Sequence, residues 1–410
     1  MPLDYVGHVC SPVVSGEAAL AVGEDALKLT SLFDIYEIPY SDISAFTVED
    51  YAAVIKTGDA AITVSRLGNA CEPFYRELYD AYNAKVRKAL FVQGTPLIRA
   101  EGGYEYREDG REARGTARIE LYEDCVLVLP PDDGARRVPL CFVSAMERGD
   151  FSLTLRLITC ESYTFFRLGR ETEPFWDALT ARLRALRERA IRDALEIDNS
   201  LTPPQSSAIA RLMTEGVAAP MGALSAIAPG YVAALEAKIR ASRSAQSYDM
   251  LKTLCEPALI RVGVRKSFAA WGQSDEDAAR GEDPSPEPAP GEPPPDDRRM
   301  IWMIAPGQNG HTAAVEFAVA PGESAATFIY RFQGEFEAFA SALNRAMEAV
   351  GFRREAIRLT DDELRRPEYA EYLMAVRRNP ALRFIRSSFA GRVIHSSPER
   401  WAQGCLEYMR

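Results

Sequence analysis

The chain opens with short apolar runs separated by turn residues, and then its period changes. Ala18 to Val22, Ala26 to Leu29 and Asp34 to Ile38 are such runs, divided by Gly23-Glu24-Asp25 and a second polar break. Ser44 to Val48, Ala52 to Lys56 and Ala61 to Ser65 continue the series, with Thr57-Gly58-Asp59 between two of them. Runs of this length bounded by Gly, Asp and Ser predict antiparallel strands joined by tight turns. From Phe74 the apolar residues fall at Phe74, Leu78, Tyr82, Val86 and Leu90, the stripe of an amphipathic helix. Glu72 and Pro73 stand where such a helix begins.

The same sequence of elements follows again. Ile119 to Leu121, Val126 to Leu129, Leu140 to Val143, Leu153 to Thr159 and Tyr163 to Arg167 predict strands, with Asp132-Asp133-Gly134 as a turn. A helix from Phe175 carries Leu179, Leu183 and Leu186 on one face and runs on towards Ile197. Self-comparison explains the likeness. Arg66-Leu67-Gly68-Asn69-Ala70-Cys71-Glu72-Pro73-Phe74 and Arg167-Leu168-Gly169-Arg170-Glu171-Thr172-Glu173-Pro174-Phe175 agree at six of nine positions, 101 residues apart. Pro39, Ser44 and Ala45 match Pro139, Ser144 and Ala145 at an offset of 100. A third copy is fainter: Arg331, Glu337, Phe339 and Leu343 are spaced as Arg66, Glu72, Phe74 and Leu78. A period near 100 is the size of a small domain and too long for a solenoid.

Each unit thus reads as a bent antiparallel sheet of six or seven strands, closed by one C-terminal helix that covers the interior a curved sheet leaves open. With the segment Ile38-Pro39-Tyr40-Ser41-Asp42-Ile43, this arrangement resembles the pleckstrin-homology-like (PH-like) superfold, present in tandem, as in bacterial proteins. In the second unit Phe142 replaces the Asp of that segment. The resemblance implies an α+β fold class and a division into residues 1–92 (PH-like unit 1), 93–198 (unit 2), 199–255 (helical spacer), 256–352 (unit 3) and 353–410 (helical C-terminal segment). In the spacer, Thr202-Pro203 marks a helix start, and Tyr231 to Ile239 and Tyr248 to Leu254 are further helical pieces. Residues 273–298, rich in Pro, Asp and Glu, predict a disordered insert within unit 3. In the C-terminal segment Tyr369, Leu373, Val376, Phe384, Ile385 and Trp401 are expected to pack on unit 3 or to form an interface.

Composition changes this picture little. The 410 residues are 47% hydrophobic and 26% charged, with a net charge of −11. That sign argues against a nucleic-acid partner, which selects clustered Lys and Arg. Seven cysteines (Cys10, Cys71, Cys125, Cys141, Cys160, Cys255 and Cys405) are an odd number with no Cys-x-x-Cys pair. They predict neither a disulfide framework nor a zinc knuckle, and fit a reducing cytoplasm. The opening Met1-Pro2-Leu3-Asp4 has no basic-then-apolar signal pattern. Gly216 to Leu235 carries no charge over twenty residues. Its Ala and Gly content, with Pro220 and Pro229, reads as packed helix before membrane hairpin.

Candidate chemistry is sparse. His8, His311 and His395 have no metal-ligand neighbours at helical or turn spacing, and each reads as a surface or satisfied histidine. No phosphate-binding Gly-rich loop or nucleophile elbow occurs. Glu101-Gly102-Gly103 is assigned between units, and the pairs Asp132/Asp133 and Asp361/Asp362 are read as exposed turn or helix-start acids. The repeated Arg66, Arg167 and Arg331 suggest an anion site, but pairing with Glu72, Glu173 and Glu337 six residues on is the simpler reading. Inositide-binding PH domains present a basic first loop, whereas Gly23-Glu24-Asp25 and Glu123-Asp124 are acidic.

The expectation is therefore a cytoplasmic, non-enzymatic scaffold that binds a protein or peptide. It has no catalytic, cofactor-binding or metal-binding residues and no assigned partner-binding residues. The alternatives are a peripheral membrane protein using the PH-like loops or residues 216–235, and an enzyme without a recognisable motif.

Overall fold

A computed structural model describes residues 5–266, 299–317 and 326–410, apart from 13, 33, 59, 109, 243, 244, 354 and 396. The fold is α+β, with antiparallel sheets of seven, seven and six strands. The described residues up to Thr180, together with Ala346–Arg386, form one compact unit; Ala181–Arg345 and Ser387–Arg410 form a second.

In the first unit, strands β1 (Tyr5–Cys10), β2 (Ser15–Val22), β3 (Ala26–Thr30), β4 (Ile35–Pro39), β5 (Ile43–Glu49), β6 (Ala52–Thr57) and β7 (Ala61–Ser65) make a sheet in the order 4-3-2-1-7-6-5. Strands β8 (Ile98–Glu108), β9 (Arg111–Leu121), β10 (Cys125–Leu129), β11 (Arg136–Pro139), β12 (Val143–Arg148), β13 (Ser152–Leu157) and β14 (Ser162–Phe166) repeat that order as 11-10-9-8-14-13-12. The opening strands β1 and β8 escape the sequence reading, which placed Glu101-Gly102-Gly103 between units; these residues lie inside β8. Both strands must pass close to the last strand of their own sheet. A Cβ on Gly7 would sit 3.0 Å from the Ser65 carbonyl, a tight fit, and one on Gly102 2.7 Å from that of Phe166, which excludes a side chain there.

The correspondence extends to single residues. The register of β5 on β6 shifts between Ile43 and Ala45, that of β12 on β13 between Val143 and Ala145. At these bulges the hydroxyl of Ser44 donates to Lys56 O at 3.1 Å and that of Ser144 to Arg156 O at 3.0 Å. Beyond the last strand, Arg66 (φ 61°) and Arg167 (φ 59°) turn the chain through the left-handed region into a single 3-10 turn. Helices α1 (Cys71–Ala89) and α2 (Thr172–Ile197) follow. Phe74 and Leu78 on α1, and Phe175 and Leu179 on α2, are fully buried. In α1 a first-turn Glu72 and last-turn Arg87 and Lys88 complement the helix dipole.

Helices α7 (Phe336–Ala349), α8 (Glu355–Arg358), α9 (Asp361–Leu364), α10 (Ala370–Arg378) and α11 (Pro380–Ser388) come late in the chain. Of these, α10 packs along α1. Arg378 reaches the carbonyls of Ser41 and Ile43, and Arg377 pairs with Asp42. The expected packing of this segment on a third unit is therefore corrected for α10. Its basic C-terminal end complements the Ser41-Asp42 turn of the first repeat, a match of charge and carbonyl geometry that no periodicity reveals.

The second unit has its own sheet of β15 (Ala219–Pro220), β16 (Arg261–Lys266), β17 (Arg299–Pro306), β18 (Thr312–Phe317), β19 (Ala326–Arg331) and β20 (Phe389–Ile394), ordered 15-16-17-18-19-20. This simple meander lacks the crossover order of the first two sheets, so the third copy expected from Arg331, Glu337, Phe339 and Leu343 does not reproduce their topology. The acidic, Pro-rich stretch 273–298 lies outside the described residues; the strands on either side of it, β16 and β17, are antiparallel neighbours. Helices α3 (Pro203–Leu212), α4 (Met221–Ile227), α5 (Pro229–Arg240), α6 (Ala245–Leu254) and α12 (Pro398–Met409) pack with the sheet into one hydrophobic core. Within the uncharged stretch 216–235, Met221, Leu224, Tyr231 and Leu235 are buried in that core. Among the described residues no helix is long and apolar enough to cross a membrane.

Candidate interaction grooves

The edge strand β5 and helix α1 enclose an angle lined by rings. The Phe46 centroid lies 5.7 Å from Tyr75, 6.0 Å from Tyr79 and 5.2 Å from Tyr82. Phe46 is placed there by strand alternation, the tyrosines by helical spacing of three and four. An edge strand keeps one row of backbone groups unpaired within its own sheet. Here a segment of the second repeat takes them up. Phe46 N–H donates to Pro131 O at 2.9 Å, and Ala45 pairs with Asp132 in an antiparallel bridge. The helix contributes the other side: Tyr79 donates its hydroxyl to Leu129 O at 2.5 Å and Tyr82 to Asp132 O at 3.1 Å. Burial pushes both hydroxyls up to about 12, so they remain donors throughout the ordinary pH range. Asp132 accepts from Gly134 N–H at 2.7 Å, and burial raises its carboxyl pKa. Asp132-Asp133-Gly134 is the expected turn, between β10 and β11, with Asp133 exposed, but Asp132 is half-buried because its backbone bridges to Ala45.

Charged groups fix the same repeat pair. Glu120 on β9 is fully buried and takes two hydrogen bonds from Arg87 of α1, at 2.7 and 2.8 Å. Tyr122 donates to it at 2.9 Å and Arg99 lies 3.3 Å away. Burial pushes this carboxyl up, but the hydrogen bonds and charge of Arg87 outweigh it and the net shift is downward. Beside this pair, an open depression of about 600 Å³ is lined by Asp80, Arg99, Glu101, Arg118 and Arg170. Arg118 pairs with Asp80 at 2.7 Å and with Glu101 at 3.4 Å, so its charge is neutralised locally.

The corresponding angle in the second repeat is built from β12 and the start of α2. Met146 stands where Phe46 does, Trp176 where Tyr75 does and Thr180 where Tyr79 does. Ser144, Ala145, Glu147 and Arg148 are exposed. Met146 faces Leu155 as Phe46 faces Ile55, so its N–H points away from β13, just as the Phe46 N–H points away from β6. Among the described residues nothing pairs with that outer edge of β12. The Thr180 hydroxyl, at the place of the Tyr79 donor, is buried without a partner among them. Arg148 pairs with Glu173 and lies over the Trp176 ring at 5.7 Å.

The repeated arginines do not behave as expected. Glu72 pairs with Arg76 at 2.8 Å, Glu173 with Arg148 and Glu337 with Arg261, while Arg66, Arg167 and Arg331 are exposed. At the first two, left-handed backbone turns the side chain outward; the conserved spacing records a corner in the chain. The first-loop acids Glu24 and Asp25 are met by Lys85 at 3.3 and 2.5 Å. Asp361 and Asp362 sit in the first turn of α9, behind a Thr360 cap.

The densest chemical cluster lies in the second unit and went unseen in the sequence. Buried Glu316 on β18 accepts from Ser247 at 3.2 Å and from Thr327 at 2.6 Å, and lies 3.3 Å from His395 Nε2. Trp401 Nε1 donates to the Thr327 hydroxyl at 2.9 Å. Cys405 lines the same cluster, and burial pushes its thiol up to about 12, which disfavours the nucleophilic thiolate. His8 lies in β1 and His311 is exposed, so the three histidines are not brought together. No group of side chains able to hold a metal ion occurs among the described residues. The seven cysteines are free thiols. No protein-family model matches the chain, and no curated protein matches it.

Proposed function

We propose that the chain is a non-catalytic interaction protein built on two tandem PH-like repeats. It takes a protein or peptide partner by strand addition along β12, beside α2. The observation that carries this reading is the filled groove of the first repeat, where an extended segment bonds to the edge of β5 and to tyrosines of α1. Main-chain bonds to a sheet edge supply affinity while neighbouring side chains supply selectivity. The PH-like assignment rests on the duplicated seven-strand order and the closing helix. A cytoplasmic location belongs to the same proposal.

A degenerate peptide array probed with the full chain tests it. Wild type should retain a subset of peptides, and Met146→Pro, which removes the outward N–H while sparing the bonds to β13, should release them. Failure to bind any peptide, or binding unaffected by the substitution, would end this reading.

A further inference from the structure

The occupant of the first repeat's groove also bears on the ligand of its counterpart. The seated segment is Pro130-Pro131-Asp132-Asp133, with Pro130 buried and Pro131 and Asp132 half-buried. The same tetrapeptide occurs once more in the chain, as Pro294-Pro295-Asp296-Asp297, and both copies run on to a pair of arginines, Arg136-Arg137 and Arg298-Arg299. Resting on the proposed strand addition, we infer that the ligand of the β12–α2 groove is a peptide of the Pro-Pro-Asp-Asp type.

The register follows from the first repeat. The second proline's carbonyl accepts the Met146 N–H, as Pro131 O accepts that of Phe46. The residue after it pairs with Ala145, as Asp132 pairs with Ala45. The residue before the first proline lies beside position 180, the counterpart of Tyr79. Proline suits such a ligand for two reasons: it is already extended, and it loses little entropy on docking. Trp176 stands where Tyr75 does in the first repeat, and Arg148 of β12, lying over its ring at 5.7 Å, places it beside the strand edge.

The test uses a labelled octapeptide of the chain's own residues 291–298, Gly-Glu-Pro-Pro-Pro-Asp-Asp-Arg. The receptor is the full chain carrying Pro294→Gly and Pro295→Gly, so that its own copy does not compete. Fluorescence anisotropy should report saturable binding, weakened at least tenfold by Met146→Pro and by Trp176→Ala, with a scrambled octapeptide not binding. If Met146→Pro fails to fold, as judged by its thermal melt, Trp176→Ala carries the test alone. Equal binding of the scrambled peptide, or octapeptide binding indifferent to the folded variants, overturns the inference. So does a silent octapeptide. If array peptides still depend on Met146 while the octapeptide is silent, the ligand class is wrong and the groove reading stands; if neither depends on it, both fall.

Discussion

The first two repeats share a backbone down to a bulged serine and a left-handed arginine, yet they treat their edge strands in opposite ways. In the first, Phe46 and three tyrosines form a wall of rings, and a turn of the second repeat lies across it. In the second, Met146, Trp176 and Thr180 hold the same positions, and among the described residues nothing pairs with the strand edge. Duplication has preserved the frame, which is fixed by sheet order and corner geometry. A handful of side chains on one strand and one helix decide whether that frame is used internally or left available.

The comparison is broken most severely at the ion pair that joins the repeats. Arg87→Ala leaves the buried Glu120 with only Tyr122 and Arg99, and Glu120→Ala leaves the part-buried Arg87 without its carboxylate; each should lower the unfolding free energy by about 3 kcal/mol in urea denaturation. A loss under about 1 kcal/mol would show that the pair does not hold the repeats together. Next come the matched truncations. Phe46→Ala empties a fully buried site and should cost about 3–5 kcal/mol, whereas Met146→Ala, at a half-buried one, should cost about 1 kcal/mol or less. Equal losses would erase the distinction drawn here.

The pH dependence is directional. Glu120 is held below its ordinary value of 4.5, so its contribution is complete above that pH and drains away as the pH falls through the folded value. Tyr79 and Tyr82 are raised from 10.0 to about 12. The unfolded chain therefore ionises first, and stability falls as pH rises from about 10 towards 12. Denaturation midpoints at roughly pH 3, 7 and 11 should be highest at the middle value. The smallest contrast is between two hydroxyls. Tyr79→Phe strands Leu129 O and should cost about 1–2 kcal/mol, whereas Thr180→Val removes an unpartnered group and should be neutral or slightly stabilising.

Much of the repeated unit was legible in the order of residues. Hairpin turns, the stripe of Phe74, Leu78, Tyr82 and Val86, and the matching Arg-Leu-Gly corners are local signals, and local physics produces them. What remained hidden depends on residues far apart in the chain. The strands β1 and β8 carry glycines that look like linker residues until the close passage of β7 and β14 is known. The arginine spacing suggested a salt bridge because sequence distance says nothing of φ. Glu316, Ser247, Thr327, His395 and Trp401 come from four elements and one loop, spread over more than 150 positions, and no spacing rule joins them. The candidate groove was legible only in part: Ser44 and Ser144 mark the equivalent bulges, but nothing local indicates that residues 130–132 fill one of the two.

The way α10 returns to α1 bears on how the molecule is made. Arg378 grips Ser41 across a separation of 337 residues, so the first compact unit is completed only after residues 181–345 of the second have been made. Until then the flank of α1 that α10 covers faces water, and nascent chains carry an incomplete first unit while residues 181–345 of the second are made. Contacts of such long sequence separation form slowly. Fragments ending before position 370 are accordingly expected to be the forms most prone to aggregation and to capture by chaperones.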